Sequence, residues 1–295
     1  MFAELAAASN FSFLHGASHP EELVVAAAAA GYAGIAVCDR NTLAGVVRCH
    51  LAAKDVGLRS AVGTRLSFMD ETPEMLCWPT DRAAYGRLCR LLTVGNMRGE
   101  KGDCRLLLSD LEEWCKGLIL APIAQSAAPE KIAAACERLA PLADQKLRLA
   151  LSMPHGGQDR RRLARALELA SQLAIAPLAT NLPLYHAPER RPLQDVLTAI
   201  REHTTVERAG QLLTANAERH IKSAAEMARL FEGCPEAIAE TRAVLEAIGF
   251  SLDELRYEYP EEPTDPGCTP QQTLVRLTED GAKKRYPQGA PPEVA

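Results

Sequence analysis

The chain is 295 residues long, 47% hydrophobic and 24% charged, with a net charge of −5. A chain of this size and apolar content buries a large core in one large or two ordinary domains, which excludes a disordered protein. The acidic balance argues against a basic nucleic-acid surface running over the whole chain, and no apolar run reaches membrane-spanning length.

In chain order, the first residues lack the basic-then-apolar order of a signal peptide. Ser18, followed by His19, Pro20, Glu21 and Glu22, reads as a helix start with a serine cap and acids at the positive end of the dipole. It predicts a helix over 20–30. The apolar run 35–38 reads as a buried strand, followed by a helix over 42–56. Helices over 81–94, 129–139 and 160–173 alternate with apolar runs at 118–121, 147–151 and 177–180. Such alternation predicts a parallel sheet, open or closed into a barrel. Arg160, Arg161 and Arg162 read as the solvated face of an amphipathic helix. Residues 189–248 carry only helical periods, interrupted at Gly210, Gly233 and Pro235. Residues 257–267 form a proline-rich acidic connector, and a last helix covers 270–285. Nine cysteines stand singly with no Cys-x-x-Cys pair. Neither a zinc ribbon nor a disulfide framework is indicated, and a cytoplasmic protein with reduced thiols is expected.

Phe11-Ser12-Phe13-Leu14-His15-Gly16-Ala17-Ser18-His19-Pro20-Glu21-Glu22-Leu23, followed by Ile35-Ala36-Val37-Cys38-Asp39-Arg40, resembles the start of a PHP (polymerase and histidinol phosphatase) domain. Such a domain stands at the N-terminus of bacterial C-family DNA polymerases. Later segments keep the same order. Residues 79–93 resemble the helix after the third motif of the error-prone members, and Ala179-Thr180-Asn181 the start of their Ala-Thr-Asn-Asp motif. Residues 193–202, 221–231 and 257–260 resemble the linker to the polymerase module, and Thr269-Pro270-Gln271 with residues 281–286 the entry to it. The resemblance implies an α/β fold, a distorted PHP-type (β/α) barrel of about seven mainly parallel strands. It places the barrel in residues 1–188, a helical linker region in 189–256, and a connector with the start of the polymerase module in 257–295.

The resemblance also implies a metal site of His, Asp and Glu at the C-terminal ends of the strands, where imidazoles and carboxylates would hold divalent ions against a phosphate ester. Position by position, the ligands are mostly gone. Ala6 and Ala8 stand where the family has His-x-His, and His15 replaces an aspartate. Asp39 matches, but Arg40 replaces the neighbouring histidine. Arg65 stands for a glutamate and Glu74 for a histidine; His155 is a loose match to another motif histidine. Leu182 and Leu184 replace the final Asp-x-His. Two arginines oppose a cation as well as removing donors. The site reads as vestigial, with no catalytic residue and no metal in this chain. Asp39 has two available roles: accepting loop amides, or pairing with Arg40 or Arg65, for which Asp39 and Glu74 are the candidate anions. His19 and His186 read as loop and turn residues, Cys38 as a buried strand residue, and Trp78 and Trp114 as core anchors.

The function implied is that of the N-terminal portion of an error-prone DNA-directed DNA polymerase acting in damage tolerance and repair, with the barrel as a platform. The full-length enzyme would use Mg²⁺. Its partners would be the remainder of the polymerase chain, primer-template DNA, and as candidates the sliding clamp and other translesion proteins, with no membrane. The chain alone should be inactive, since no Asp-x-Asp on an apolar strand occurs in it. The competing reading is a metal-dependent phosphoesterase or 3′-5′ exonuclease, which the altered ligand positions oppose.

Overall fold

Every residue of β1 (Ala3–Ala7) is buried, including the acidic Glu4 near its start. The computed structural model describes residues 2–143, 146–256 and 263–292. After β1 come α1 (Pro20–Ala29), β2 (Gly34–Arg40), α2 (Val46–Val56), β3 (Arg59–Leu66), β4 (Met75–Pro79), α3 (Arg82–Arg98), α4 (Leu108–Trp114), β5 (Leu118–Pro122), α5 (Pro129–Leu139), β6 (Arg148–Leu151), α6 (Asp159–Gln172) and β7 (Ala176–Ala179). Four further helices follow: α7 (Arg191–Arg201), α8 (Val206–Ala209), α9 (Ala224–Leu230) and α10 (Pro235–Ala247).

Helix starts follow the sequence signals with two corrections. The N-cap of α1 is His19, whose backbone N–H donates to Glu22 at 2.8 Å. The expected cap, Ser18, instead meets His186 Nδ1 at 2.8 Å and accepts from the His186 amide at 3.0 Å, tying the loop after β1 to the segment after β7. Helix α2 begins at Val46 rather than 42, and its N-cap, Gly45, lies against Asp39. A Cβ on Gly45 would lie 2.5 Å from Asp39 Oδ2, so only glycine permits that approach.

The strands form a five-stranded sheet in the order β1-β2-β3-β4-β5 and a separate two-stranded sheet, β6-β7. Isolated parallel bridges, Leu120 to Leu147 and Ile123 to Ala150, connect β5 to β6, so the curled sheet continues without a full ladder. Of the expected distorted barrel of about seven mainly parallel strands, the curled sheet is present with only β4 antiparallel, but its strands form a ladder of five and a pair and not one seven-stranded ladder. Strand β4 runs antiparallel to both neighbours, because residues 67–74 are too short for the crossover that a parallel β3–β4 pair needs.

Alternating residues divide the core. One face of the sheet, with Val37, Cys77, Leu120 and Leu149, packs under α1 to α6 through residues such as Leu23 and Leu88. The other face encloses Leu5, Cys38, Leu76, Trp78, Ile119 and Leu178. Trp78 is fully buried and donates its indole N–H to the Leu5 carbonyl at 3.0 Å, as a core anchor must. A Cβ on Gly63 would sit 2.5 Å from the Trp78 ring, so this glycine makes room for the indole. Trp114, at the end of α4, is only half-buried. Cys38 is buried and donates to the Leu5 carbonyl at 3.1 Å.

No backbone ladder joins β1 to β7 among the described residues. Helix α10 lies against both strands, adding Val244, Leu245 and Ile248 to the enclosed core. Its Thr241 hydroxyl accepts the free Ala3 amide at 3.1 Å. The Glu4 carboxylate completes the closure, accepting from Thr180 Oγ1 at 2.5 Å, the Asn181 amide at 2.9 Å and the Ala6 amide at 3.0 Å. Residues Met1–Glu254 make one compact unit. The second, Leu255–Ala295, contains α11 (Pro270–Arg285), capped by Thr269 and braced by Arg276 on Asp265. The acidic connector expected at 257–267 lies partly outside the described residues.

Burial pushes the Glu4 carboxyl up to about 7, against the lowering effect of its hydrogen bonds and of Arg219. A folded value above the unfolded 4.5 means that the stability Glu4 contributes is complete below pH 4.5 and is lost as pH rises through about 7. Glu4 should therefore remove about 2–3 kcal/mol of stability between pH 5 and pH 8. Urea unfolding should show Glu4→Gln to be flatter over that range than the parent; equal pH slopes would mean that Glu4 does not titrate there.

Candidate functional site

Strands β1 to β3 deliver Ala6, Ala7, Asp39, Arg40 and Arg65 to one end of the sheet. Asp39 is buried and faces the loop after β1. Its Oδ1 accepts from the Ser9 amide at 2.8 Å, the Ser12 amide at 3.1 Å and Ser12 Oγ at 2.7 Å. Its Oδ2 accepts from Ser9 Oγ at 2.7 Å. Burial raises its pKa, and the four serine donors oppose the rise. Of the two expected roles, Asp39 thus takes the first, accepting loop donors, and pairs with neither arginine.

Both arginines converge on Glu74 instead, just before β4. Arg40 Nη1 lies 2.7 Å from Glu74 Oε1, and Arg65 reaches Glu74 Oε2 through Nη2 and, at 3.1 Å, through Nε. Burial alone would raise the Glu74 carboxyl, but Arg65 and Arg40 outweigh it and hold the group below its ordinary range. Arg40 is also bonded to Ser67 Oγ at 2.5 Å and keeps 41% of its side-chain surface exposed. The cluster is therefore a half-open mouth, not a sealed ion pair. His15 Nδ1 lies 3.2 Å from Arg201 Nη1. A guanidinium can only donate, so Nδ1 is the acceptor and the ring is neutral. Burial, then Arg201, Arg40 and Arg65, pull the His15 pKa down to about 4.

The remaining replaced positions are apolar and packed. Ala6 and Leu182 join the enclosed core, while Ala8 and Leu184 pack with Ala17 and Tyr185. Leu182 has φ of 46°, a left-handed conformation that costs a branched residue about 1–2 kcal/mol. Its amide donates to Thr180 Oγ1 at 2.8 Å and its carbonyl accepts from Arg219 Nε at 2.7 Å, which holds the turn. The residues present do not fit a divalent metal. Both Asp39 oxygens face serine donors, both Glu74 oxygens face arginines, and His15 Nδ1 faces Arg201. A cation would have to displace all of these against local positive charge.

His155 does not join the Asp39 or Glu74 cluster. With Glu218 and Glu226 it forms a group whose donor atoms fall within 4.8 Å of one another, a spacing that could hold a metal ion. The fully buried Lys222 already supplies the cation. Its ammonium bonds Glu218 and lies 3.5 Å from Glu226. Sequence reading passed over Lys222, Glu4, Arg201 and the two serines. Glu4 had a visible signal, a carboxylate inside an apolar strand; Lys222 had none, since it and Glu218 lie outside any helix, where a spacing of four implies no pairing. Ser9 and Ser12 had none, since serines in a loop are ordinary.

Removing the Asp39 carboxylate leaves two buried amides and two hydroxyls without their acceptor. Asp39→Ala should destabilise the compact unit by about 2–4 kcal/mol. Asp39→Asn keeps the oxygen that serves three of the four donors and should cost less than half as much. Urea midpoints measure both. An Asp39→Ala midpoint equal to the parent's would show that the serine cage contributes nothing to the fold.

Comparison with known proteins agrees with the retained pattern. The chain is 52% identical over 290 residues to the error-prone DNA polymerase of Brucella abortus, covering 97% of this chain and 27% of the relative. It is 48% identical over 295 residues to that of Caulobacter vibrioides, covering 100% of this chain and 27% of the relative. The chain thus spans about a quarter of the length of these curated relatives. A solved structure assigned as a metal-dependent phosphoesterase, from Bifidobacterium adolescentis, has 13% identity and a TM-score of 0.45 over 61% of this chain and 86% of its own. The PHP domain family matches residues 4–151, half of the chain and the part that carries β1 to β6 with the Asp39 and Glu74 clusters, and the chain belongs to that family.

Proposed function

We propose that this chain is the PHP portion of an error-prone DNA-directed DNA polymerase that works in damage tolerance and repair, and that its barrel is a structural platform around a vestigial metal site. The observation that carries the assignment is identity near one half over almost the whole chain to proteins named error-prone DNA polymerase. In this reading residues 1–188 are the barrel, 189–256 a helical linker, and 257–295 the approach to the polymerase module. Nucleotide addition belongs to the rest of the polymerase, where Mg²⁺ would be held by carboxylates outside this chain. The barrel's partners are that polymerase module and, through it, primer-template DNA, with the sliding clamp and other translesion proteins as candidates, in the cytoplasm.

What supports the platform role is the fate of the two surviving acids. Asp39 gathers the loop after β1, and Glu74 joins the ends of β2, β3 and β4 through Arg40 and Arg65. Each acid performs by hydrogen bonds and ion pairs what bridging metals perform in an intact site. A phosphoesterase or exonuclease would need those carboxylates free.

Purified chain incubated with Zn²⁺ or Mn²⁺ should retain less than one metal per molecule by elemental analysis, and should cleave neither phosphate monoesters nor the 3′ end of DNA. Arg40→His alone should not change this, because Arg65 still holds Glu74 and the other ligands remain absent. Stoichiometric metal that disappears in Asp39→Ala would overturn the vestigial site. The assignment to a polymerase is tested separately: a protein carrying this chain with its downstream reading frame should extend a primer, and one that cannot is something else.

A further inference from the structure

The first two turns of α6 carry Arg160, Arg161, Arg162 and Arg165, and Arg229 of α9 lies across the groove beside them. All five are exposed, and none forms an ion pair among the described residues. What sets them apart is density: four lie within six residues, whereas Arg82 and Arg90, also exposed and without ion pairs among the described residues, stand eight residues apart. Arg48, Arg98, Arg138 and Arg148 are each compensated by a carboxylate, and the chain as a whole is acidic. The arginines also flank α6 on both sides. Arg162 and Arg165 line the groove toward α5, whereas Arg160, Arg161 and Arg229 line the one toward α9. Their positive charge adds to the N-terminal end of the α6 dipole.

We propose that this face of α6 binds the phosphate backbone of duplex DNA without reading its sequence. An acidic peptide seated in one groove would meet only the arginines on that side, whereas a duplex lying over the α6 ridge meets both sets. No aromatic side chain lines either groove, so the stacking platform that single strands use is missing. Arginine suits phosphate because its planar fork can donate two hydrogen bonds at once. The inference deepens the polymerase reading and rests on it for the choice of DNA over another polyanion. The sequence alone favoured a solvated face, because ion pairing cannot be seen there.

The 295-residue chain should bind a fluorescent duplex of random sequence in an anisotropy titration at low salt. Arg160→Glu/Arg161→Glu/Arg162→Glu/Arg165→Glu should weaken binding at least ~10-fold and make the slope of log affinity against log salt shallower by about three to four. Arg82→Glu/Arg90→Glu, which alters two other exposed arginines without ion pairs, should change affinity less than ~2-fold for a site confined to α6. Circular dichroism melts establish that both variants are folded. No duplex binding, equal loss in both variants, or displacement of duplex by poly-glutamate at equal charge overturns the proposal. If the extended protein extends primers but the α6 variant binds duplex as the parent does, this site alone is wrong. If the extended protein cannot extend primers, the polymerase reading fails whatever α6 does.

Discussion

The curled sheet has two ends that meet without a ladder, and the way they are held constrains most of the rest. Strand β1 presents unpaired backbone toward β7, and buried unpaired amides are costly. One is taken by Thr241 of α10, and the Glu4 carboxylate takes others on both sides of the gap. The helices after β7 therefore complete the core instead of decorating it. A carboxylate bridging from near the start of β1 tolerates burial because three donors converge on it, and even then burial wins and the proton is held to near-neutral pH. The seam between first and last strands is thus a pH-sensitive part of the compact unit.

At the strand ends the same rule acts on Asp39 and Glu74. A buried acid without a metal partner needs other donors. Asp39 found serine hydroxyls and loop amides, which need a close-fitting loop and hence Gly45 over the carboxylate. Glu74 found guanidiniums, which reach from neighbouring strands and tolerate a half-open mouth. Neutral His15 follows from this arrangement. Three arginines around an imidazole disfavour the charged ring, so it serves as an acceptor for Arg201. The result is a mouth with net positive character, hostile to a divalent cation by charge and by the absence of unoccupied donors.

Much of this was legible in the sequence, and the reasons for the misses are specific. Helix 129–139 matched α5 at both ends, because Pro129 fixes the start and the apolar period is clean. Strands β3 and β4 escaped notice: Arg59–Leu66 mixes arginines with small residues, and the short Met75–Pro79 lacks alternation. With β4 unseen, its antiparallel direction could not be inferred from the short segment that precedes it. The altered ligand positions could be read by resemblance, but their new partners could not. Nothing in the order of residues says that Glu74 rather than Asp39 receives both arginines. That depends on β3 and β4 pairing Arg65 beside Leu76, which swings Glu74 under the guanidinium.

Ligand spacing alone does not make a metal centre, and the two acidic clusters of this molecule show why. His155, Glu218 and Glu226 have the distances of a site, yet a buried ammonium stands among them. A divalent ion entering there would either expel Lys222 from a position where its side chain has no access to water, or share the carboxylates with it at close range. Both are costly, since a buried lysine without its anions is an uncompensated charge. At the strand-end mouth the obstacle is again a resident cation, there supplied by two arginines. In both places the carboxylates neutralise protein cations, the sealed Lys222 at one and the half-open Arg40 and Arg65 at the other. What distinguishes α6 is the reverse condition: exposed arginines that outnumber the Asp159 and Glu232 sharing their groove and form no ion pair among the described residues, and therefore leave charge over for a partner.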